Sequence, residues 1–212
     1  MKKLLFVIGL LAAGTLFADT TPVMVSLVTP VQVPSDSYDV TGFRLSLIYG
    51  DCKDFTGFDL GIANHTDGDF AGLAIGGINV TDESLYGGQI GLVNWNETNN
   101  TQWQNRSIGA QLGIINYADA FCGLQDGVVN ISGSSFVGLE TGFINFAKNV
   151  QGAQLGGYLV FGVNVISGTL LGCQLGLVNY AKSVDSGLQI GILNIISENG
   201  WLPLLPIVNG HF

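Results

Sequence analysis

The stretch Gly172-Cys173-Gln174-Leu175-Gly176-Leu177-Val178-Asn179 returns fifteen residues later as Gly187-Leu188-Gln189-Ile190-Gly191-Ile192-Leu193-Asn194. Both reduce to Gly-x-Gln-x-Gly-x-x-Asn. With the closing Asn as marker, the pattern runs through Asn64, Asn79, Asn94, Asn116, Asn130, Asn145, Asn164, Asn179, Asn194 and Asn209, in steps of 15, 15, 22, 14, 15, 19, 15, 15 and 15. Tyr49 stands fifteen before Asn64, with Gly42 seven before it in the place of an opening Gly. About eleven units with a period near fifteen are the self-similarity of a repeat architecture. Two steps are long. The 22 contains Asn96 to Arg106, a polar bulge with Trp103, and the 19 contains Leu159 to Val163. Extra residues confined to such points read as loops budding from a regular scaffold.

Within the octet, residues alternate in character, which is a strand signature. One parity holds Leu, Ala or Cys after the first Gly, then Ile or Leu, then Ile, Leu or Val, and the Asn. The other holds Gly, Gln and Gly, then Val or Ile, and the aromatic just past the Asn. Hydrophobicity assigns the first set to a core face and the Gly and Gln set to a solvent-tolerant face. Asp126 then falls on the core face and Glu140 in a Gln slot, so local irregularity is expected in those two units.

Two all-β architectures accommodate the unit. In a β-solenoid each unit is one coil, equivalent residues stack about 4.8 Å apart, and eleven coils make a rod of roughly 50 Å. The Asn residues would form an internal ladder, since a buried amide must be paired. In an outer-membrane antiparallel β-barrel of about 12 strands, each unit is one strand with its apolar face toward lipid, and the terminal Phe212 suits an aromatic strand end. The barrel would send identical motifs to opposite rims and should alternate short and long loops, which the unit lengths do not. The β-solenoid is therefore the expected fold. The domain plan is a signal peptide at 1–18, lead-in strands at 19–39 and a single repeat β domain at 40–212.

Composition agrees. The 212 residues include 31 Gly, with 47% hydrophobic and only 11% charged residues. Gly is costly inside helices and useful in tight turns, and this hydrophobicity is too high for a disordered chain. The net charge is −9. Removing Lys2 and Lys3 with a leader takes it to −11, which argues against nucleic acid and against electrostatic docking on anionic lipid. Those two lysines, the apolar run Leu4 to Leu11 and Leu16-Phe17-Ala18 before Asp19 read as an export signal. An exported chain with three cysteines holds at most one internal disulfide. Cys173 sits in a slot that elsewhere holds Leu or Ala and reads as a buried hydrophobe; Cys52 and Cys122 are left as a candidate pair.

Candidates for chemistry are sparse. The Gly spacing lacks the Lys and helix of a phosphate-binding loop, and Gly-Cys173-Gln-Leu-Gly lacks nucleophile-elbow spacing. His65 lies in the turn Asn64-His65-Thr66-Asp67-Gly68-Asp69 and His211 near the C-terminus, neither with a motif-spaced catalytic partner. Asp67, Asp69, Asp82 and Glu83 lack a calcium-loop pattern and read as solvated turn acids. Triplets such as Asn79-Val80-Thr81 and Asn130-Ile131-Ser132 follow from the repeat Asn preceding a turn, so they are weak signals for glycosylation. Trp95, Tyr117, Phe146 and Tyr180 each follow a repeat Asn and form a candidate surface aromatic stripe, with cross-strand aromatic packing as the plainer reading.

The repeats resemble a family of exported surface-repeat proteins of Gram-negative bacteria, built from Gly-x-Gln-x-Gly-x-x-Asn-Tyr-Ala units. The opening Thr21-Pro22-Val23-Met24-Val25-Ser26-Leu27, the first unit Asp39 to Leu47 and the ending Leu205-Pro206-Ile207-Val208-Asn209-Gly210-His211-Phe212 are similar to that family's. The resemblance implies export and surface display, and no mechanism. Some relatives carry a polyhydroxyalkanoate synthase label, but the nucleophile elbow such an enzyme requires is missing here. The expectation is a non-enzymatic, exported protein of the cell surface, outer membrane or periplasm, structural or adhesive, with no catalytic residue, cofactor or metal site. Association with the outer membrane or cell envelope, self-association, and glycan or protein binding through the aromatic face are its expected interactions. The alternative is a small barrel acting as pore or anchor.

Overall fold

A computed structural model describes residues 20–97, 107–157 and 161–212. The expected leader, most of the first insertion including Trp103, and Leu159 in the second lie outside the described residues. The chain is all-β, 82% strand with no helix among the described residues, wound into a β-solenoid of about 11 turns.

The strands are β1 (Thr20–Val28), β2 (Val31–Val33), β3 (Asp39–Cys52), β4 (Phe55–Thr66), β5 (Phe70–Thr81), β6 (Leu85–Ile90), β7 (Val93–Asn96), β8 (Ser107–Leu112), β9 (Ile115–Gly156), β10 (Val163–Leu175), β11 (Val178–Ile196) and β12 (Leu204–His211). Neighbouring coils pair in parallel and in register, as in Gln174 with Gln189 and Asn164 with Asn179. The barrel is thereby overturned, because its neighbours would be antiparallel. Among the described residues, antiparallel pairing occurs only at the two ends, where β2 folds back on β1 and β12 covers β11. Those two elements cap the exposed edges that a stack of parallel coils otherwise presents to other chains.

The lead-in belongs to the array, since β1 pairs in parallel with β3. Two repeat assignments change. A register slip between Ser46 and Tyr49 puts Gly50, not Tyr49, opposite Asn64. Asn209 lies on the antiparallel strand β12, opposite Gln189, and donates to the Leu202 carbonyl. It is a capping residue and not a tenth rung.

The expected core face is also corrected. Gln and Asn both point inward: Gln111, Gln174, Asn116 and Asn179 are fully buried. The apolar positions around them point outward, as with Ile62, Leu92 and Ile192. Asn179 is the fifth residue after Gln174, an odd offset, so strict alternation would place them on opposite faces. A bend at Gly176–Leu177 resets the alternation and turns both inward. Asp126 consequently faces out, where the Thr141 hydroxyl donates to it, and Glu140 is fully buried. Apolar packing inside is left to the turn side, where Phe55, Phe70, Phe121, Phe136, Leu170 and Val184 form the core with small residues such as Ala118 and Ala147.

The polar interior is ordered as two ladders of opposite sense. Asn79 Nδ2 donates forward to Asn94 Oδ1, and the same relation carries on through Asn116, Asn130, Asn145, Asn164 and Asn179 to Asn194. The second amide hydrogen goes to a backbone carbonyl, for Asn79 that of Ile90. Gln189 Nε2 instead donates backward to Gln174 Oε1, Gln174 to Gln154, and Gln125 to Gln111. Each rung therefore satisfies groups that would be costly to bury alone. Within the two ladders the orphaned acceptors are Asn64 Oδ1 and Gln189 Oε1, at opposite ends of the rod, as opposite donor senses require. In the first two coils the Gln slot holds Arg44 and Asp59, a bidentate buried ion pair at 2.6 and 2.9 Å.

Candidate functional site

Two outward features follow from this winding. The first is an apolar edge. Across the octets from Gly42 to Asn194, the described outward positions carry one charged side chain, Asp126. The bend in each coil projects a ridge of large side chains, including Leu47, Ile62, Leu92, Ile114, Phe143 and Ile192, whose exposures run from 49 to 69%. A hollow of about 370 Å³ opens on this edge where Gly176 and Gly191 leave space between Phe161, Leu177, Ile190, Ile192 and Ile207. Lys53, Asp54, Asp67, Asp69, Glu83, Lys148, Lys182, Asp185 and Glu198 lie instead in the turns between octets. Several turn side chains have structural work. Asp54 Oδ1 accepts the Asp69 N–H at 2.9 Å, and Asp69 Oδ1 accepts that of Ser84 at 3.0 Å.

The second feature is a histidine among acids. His65 follows the Asn64 rung at the outer surface of β4. Its Nδ1 lies 3.0 Å from Asp51 Oδ1, 3.1 Å from Tyr49 Oη and 3.6 Å from Asp67 Oδ1, while Nε2 lies 3.3 Å from Asp82 Oδ2. Coil stacking assembles the group, since Asp51 pairs with His65 and His65 with Val80 in the parallel register. Asp51 is the largest influence on the ring and, with Asp82, raises its pKa to about 9 against the opposing effect of burial. Burial first, then the charge of Asp51, raises the Tyr49 hydroxyl above its ordinary value. Among the described residues, Asp51, His65 and Asp67 are the group whose ligand atoms lie close enough together to hold a metal ion.

The remaining candidates separate. Of the expected aromatic stripe, Trp95 and Tyr117 stack with ring centroids 4.1 Å apart. Phe146 and Tyr180 are divided by Val165, which pairs with both. The stripe is thus interrupted, and its one ring contact is cross-strand packing. Cys173 is exposed because its slot faces outward, which corrects its reading as a buried hydrophobe. Cys52 and Cys122 are both free thiols. Burial pushes the Cys52 thiol up to about 11, leaving it inert as a nucleophile. His211 lies on β12 opposite Gly187.

No protein-family model matches the chain, no curated protein matches it, and no solved structure matches it.

Proposed function

We propose that this chain is a non-enzymatic envelope protein whose rod lies along a membrane, its apolar edge seated in the acyl layer and its charged turns in water. The observation that carries this reading is the continuity of the apolar edge around the bend of every coil. A large exposed apolar surface marks a site of interaction. A flat partner covers one face of a rod, whereas fluid acyl chains conform to a convex edge. Each ridge side chain moved from water into lipid contributes roughly 1.5–3 kcal/mol, so a few suffice to hold the rod without basic residues. The export leader read in residues 1–18 and the resemblance to exported repeat proteins support placement in the cell envelope. The role is structural, with the turn edge displayed outward.

The test is flotation of the purified chain with neutral phosphatidylcholine vesicles in high salt. Co-flotation is expected, and Leu92→Glu with Ile114→Glu should abolish it while leaving the strand signal in circular dichroism intact. A chain that stays at the bottom of the gradient, or that self-associates through this edge without binding vesicles, overturns the reading.

A further inference from the structure

We propose that His65, Asp51 and Asp67 form a binding site for one divalent transition-metal cation of the zinc type, with Asp82 as the residue that orients the imidazole. The inference is independent of how the rod meets a membrane.

The geometry of His65 carries it. One ring nitrogen bears at most one hydrogen, yet three oxygens, from Asp51, Tyr49 and Asp67, lie within 3.6 Å of Nδ1. The Tyr49 hydroxyl can donate as well as accept, but a single N–H cannot serve both carboxylates, whereas one multivalent cation can draw the two together. Asp51 Oδ1 adds a second sign: it is buried and accepts no well-aligned hydrogen bond. On a tetrahedral zinc ion with bonds of about 2.0–2.2 Å, neighbouring ligand atoms sit roughly 3.3 Å apart. The observed separations of 3.0 and 3.6 Å bracket that spacing.

The opposite nitrogen completes the arrangement. Nε2 faces Asp82 Oδ2 at 3.3 Å. With the ring hydrogen on Nε2, the Nδ1 lone pair points at Asp51 and Asp67. A carboxylate behind a metal-binding imidazole is the usual outer partner that fixes the tautomer and strengthens the ligand. The donor set selects the ion. Calcium wants six to eight oxygens, while one imidazole and two carboxylates suit a borderline cation with a position left for water.

The experiment is calorimetric titration of the EDTA-treated full chain with zinc chloride, and separately with calcium chloride. One zinc ion per chain is expected, with no comparable calcium uptake. Asp51→Asn, His65→Gln and Asp67→Asn should each weaken zinc binding at least tenfold, and Asp82→Asn by about tenfold. Cys173→Ser should leave it unchanged, which separates the site from the exposed thiol. Asp67 is exposed, so Asp67→Asn keeps the test decisive if a more buried variant fails to fold. Absence of saturable one-to-one uptake overturns the proposal, as does wild-type affinity in Asp67→Asn or His65→Gln.

Discussion

Glu140 occupies a Gln rung, and Gln154 Nε2 donates to its Oε2 at 2.5 Å. On its other side, Ser132 Oγ lies 2.9 Å from Glu140 Oε1 and 3.2 Å from Gln125 Oε1. Ser132 has one hydroxyl hydrogen, so it cannot donate to both oxygens. A neutral Glu140 resolves the conflict. Its O–H passes to Ser132, Ser132 passes its own hydrogen to Gln125, and the backward sense of the ladder runs on unbroken through an acid that behaves as an amide.

A pH dependence follows. Burial raises Glu140 from 4.5 to about 7, and the bonds from Gln154 and Ser132 only partly oppose it. A group with a raised folded-state pKa stabilises fully below its unfolded value and loses that contribution as pH rises through the folded one. The contribution is therefore complete below pH 4.5 and gone above pH 7, at most about 3–4 kcal/mol at about 1.36 kcal/mol per unit. Glu140→Gln should match the wild type in urea unfolding at pH 4.5 and exceed it at pH 8. Equal stabilities at pH 8 would contradict a neutral Glu140.

The Asn ladder predicts a different asymmetry. Asn116→Ala removes the acceptor of Asn94 Nδ2 and the donor to Asn130 Oδ1 together. Leaving buried polar groups unpaired costs roughly 1–3 kcal/mol each, so a loss of about 2–5 kcal/mol in urea unfolding is expected. Asn209→Ala, on the cap, should cost less.

Much of this was legible, for reasons visible in single residues. Asn164 and Asn179 lie fifteen apart because one coil is fifteen residues, so the spacing of identical polar residues is itself the winding. The direction of Gln174 was not legible. Alternation carries the reading only as far as the bend at Gly176, and hydrophobicity then points the wrong way because the apolar residues are outside. Gly91 marks the bend in retrospect, since a Cβ there would sit 2.6 Å from Gly76 O and 2.8 Å from Asn79 Nδ2. The cluster around His65 was hidden because its members come from three coils, with Asp51 fourteen residues before His65 and Asp82 seventeen after it. Stacking the sequence at its own period is the signal that would have found it.

The opening Gly of the octet makes the third prediction. Gly72 has φ +147°, and a Cβ there would lie 1.9 Å from the backbone oxygen of Gly57. The obstruction is main chain in the coil below, so no side chain can move aside. Gly72→Ala should disrupt the stack locally and shift the urea midpoint more than Gly77→Ala. At Gly77 the nearest atom, Ile62 O, lies at 3.0 Å and φ is not in the left-handed range.

The fourth prediction concerns the N-terminal coils. Arg44 is enclosed by Asp59, Cys52, Thr66 and the carbonyl of His65, and lies over the Phe55 ring at 5.2 Å. Removing one member of a buried pair strands the other charge, at a cost of about 3–5 kcal/mol, whereas replacing both by apolar residues is often neutral or stabilising. Arg44→Met alone should destabilise strongly, because Asp59 is left without its partner in a dry coil. Asp59→Leu alone should do the same by stranding the guanidinium. Arg44→Met with Asp59→Leu should recover most of the loss, leaving the hydrogen bonds of Arg44 to the His65 carbonyl and Thr66 as the residual cost. A double-mutant cycle in urea reads the coupling directly. A double variant no more stable than either single would show that Arg44 acts through those other contacts and not through Asp59.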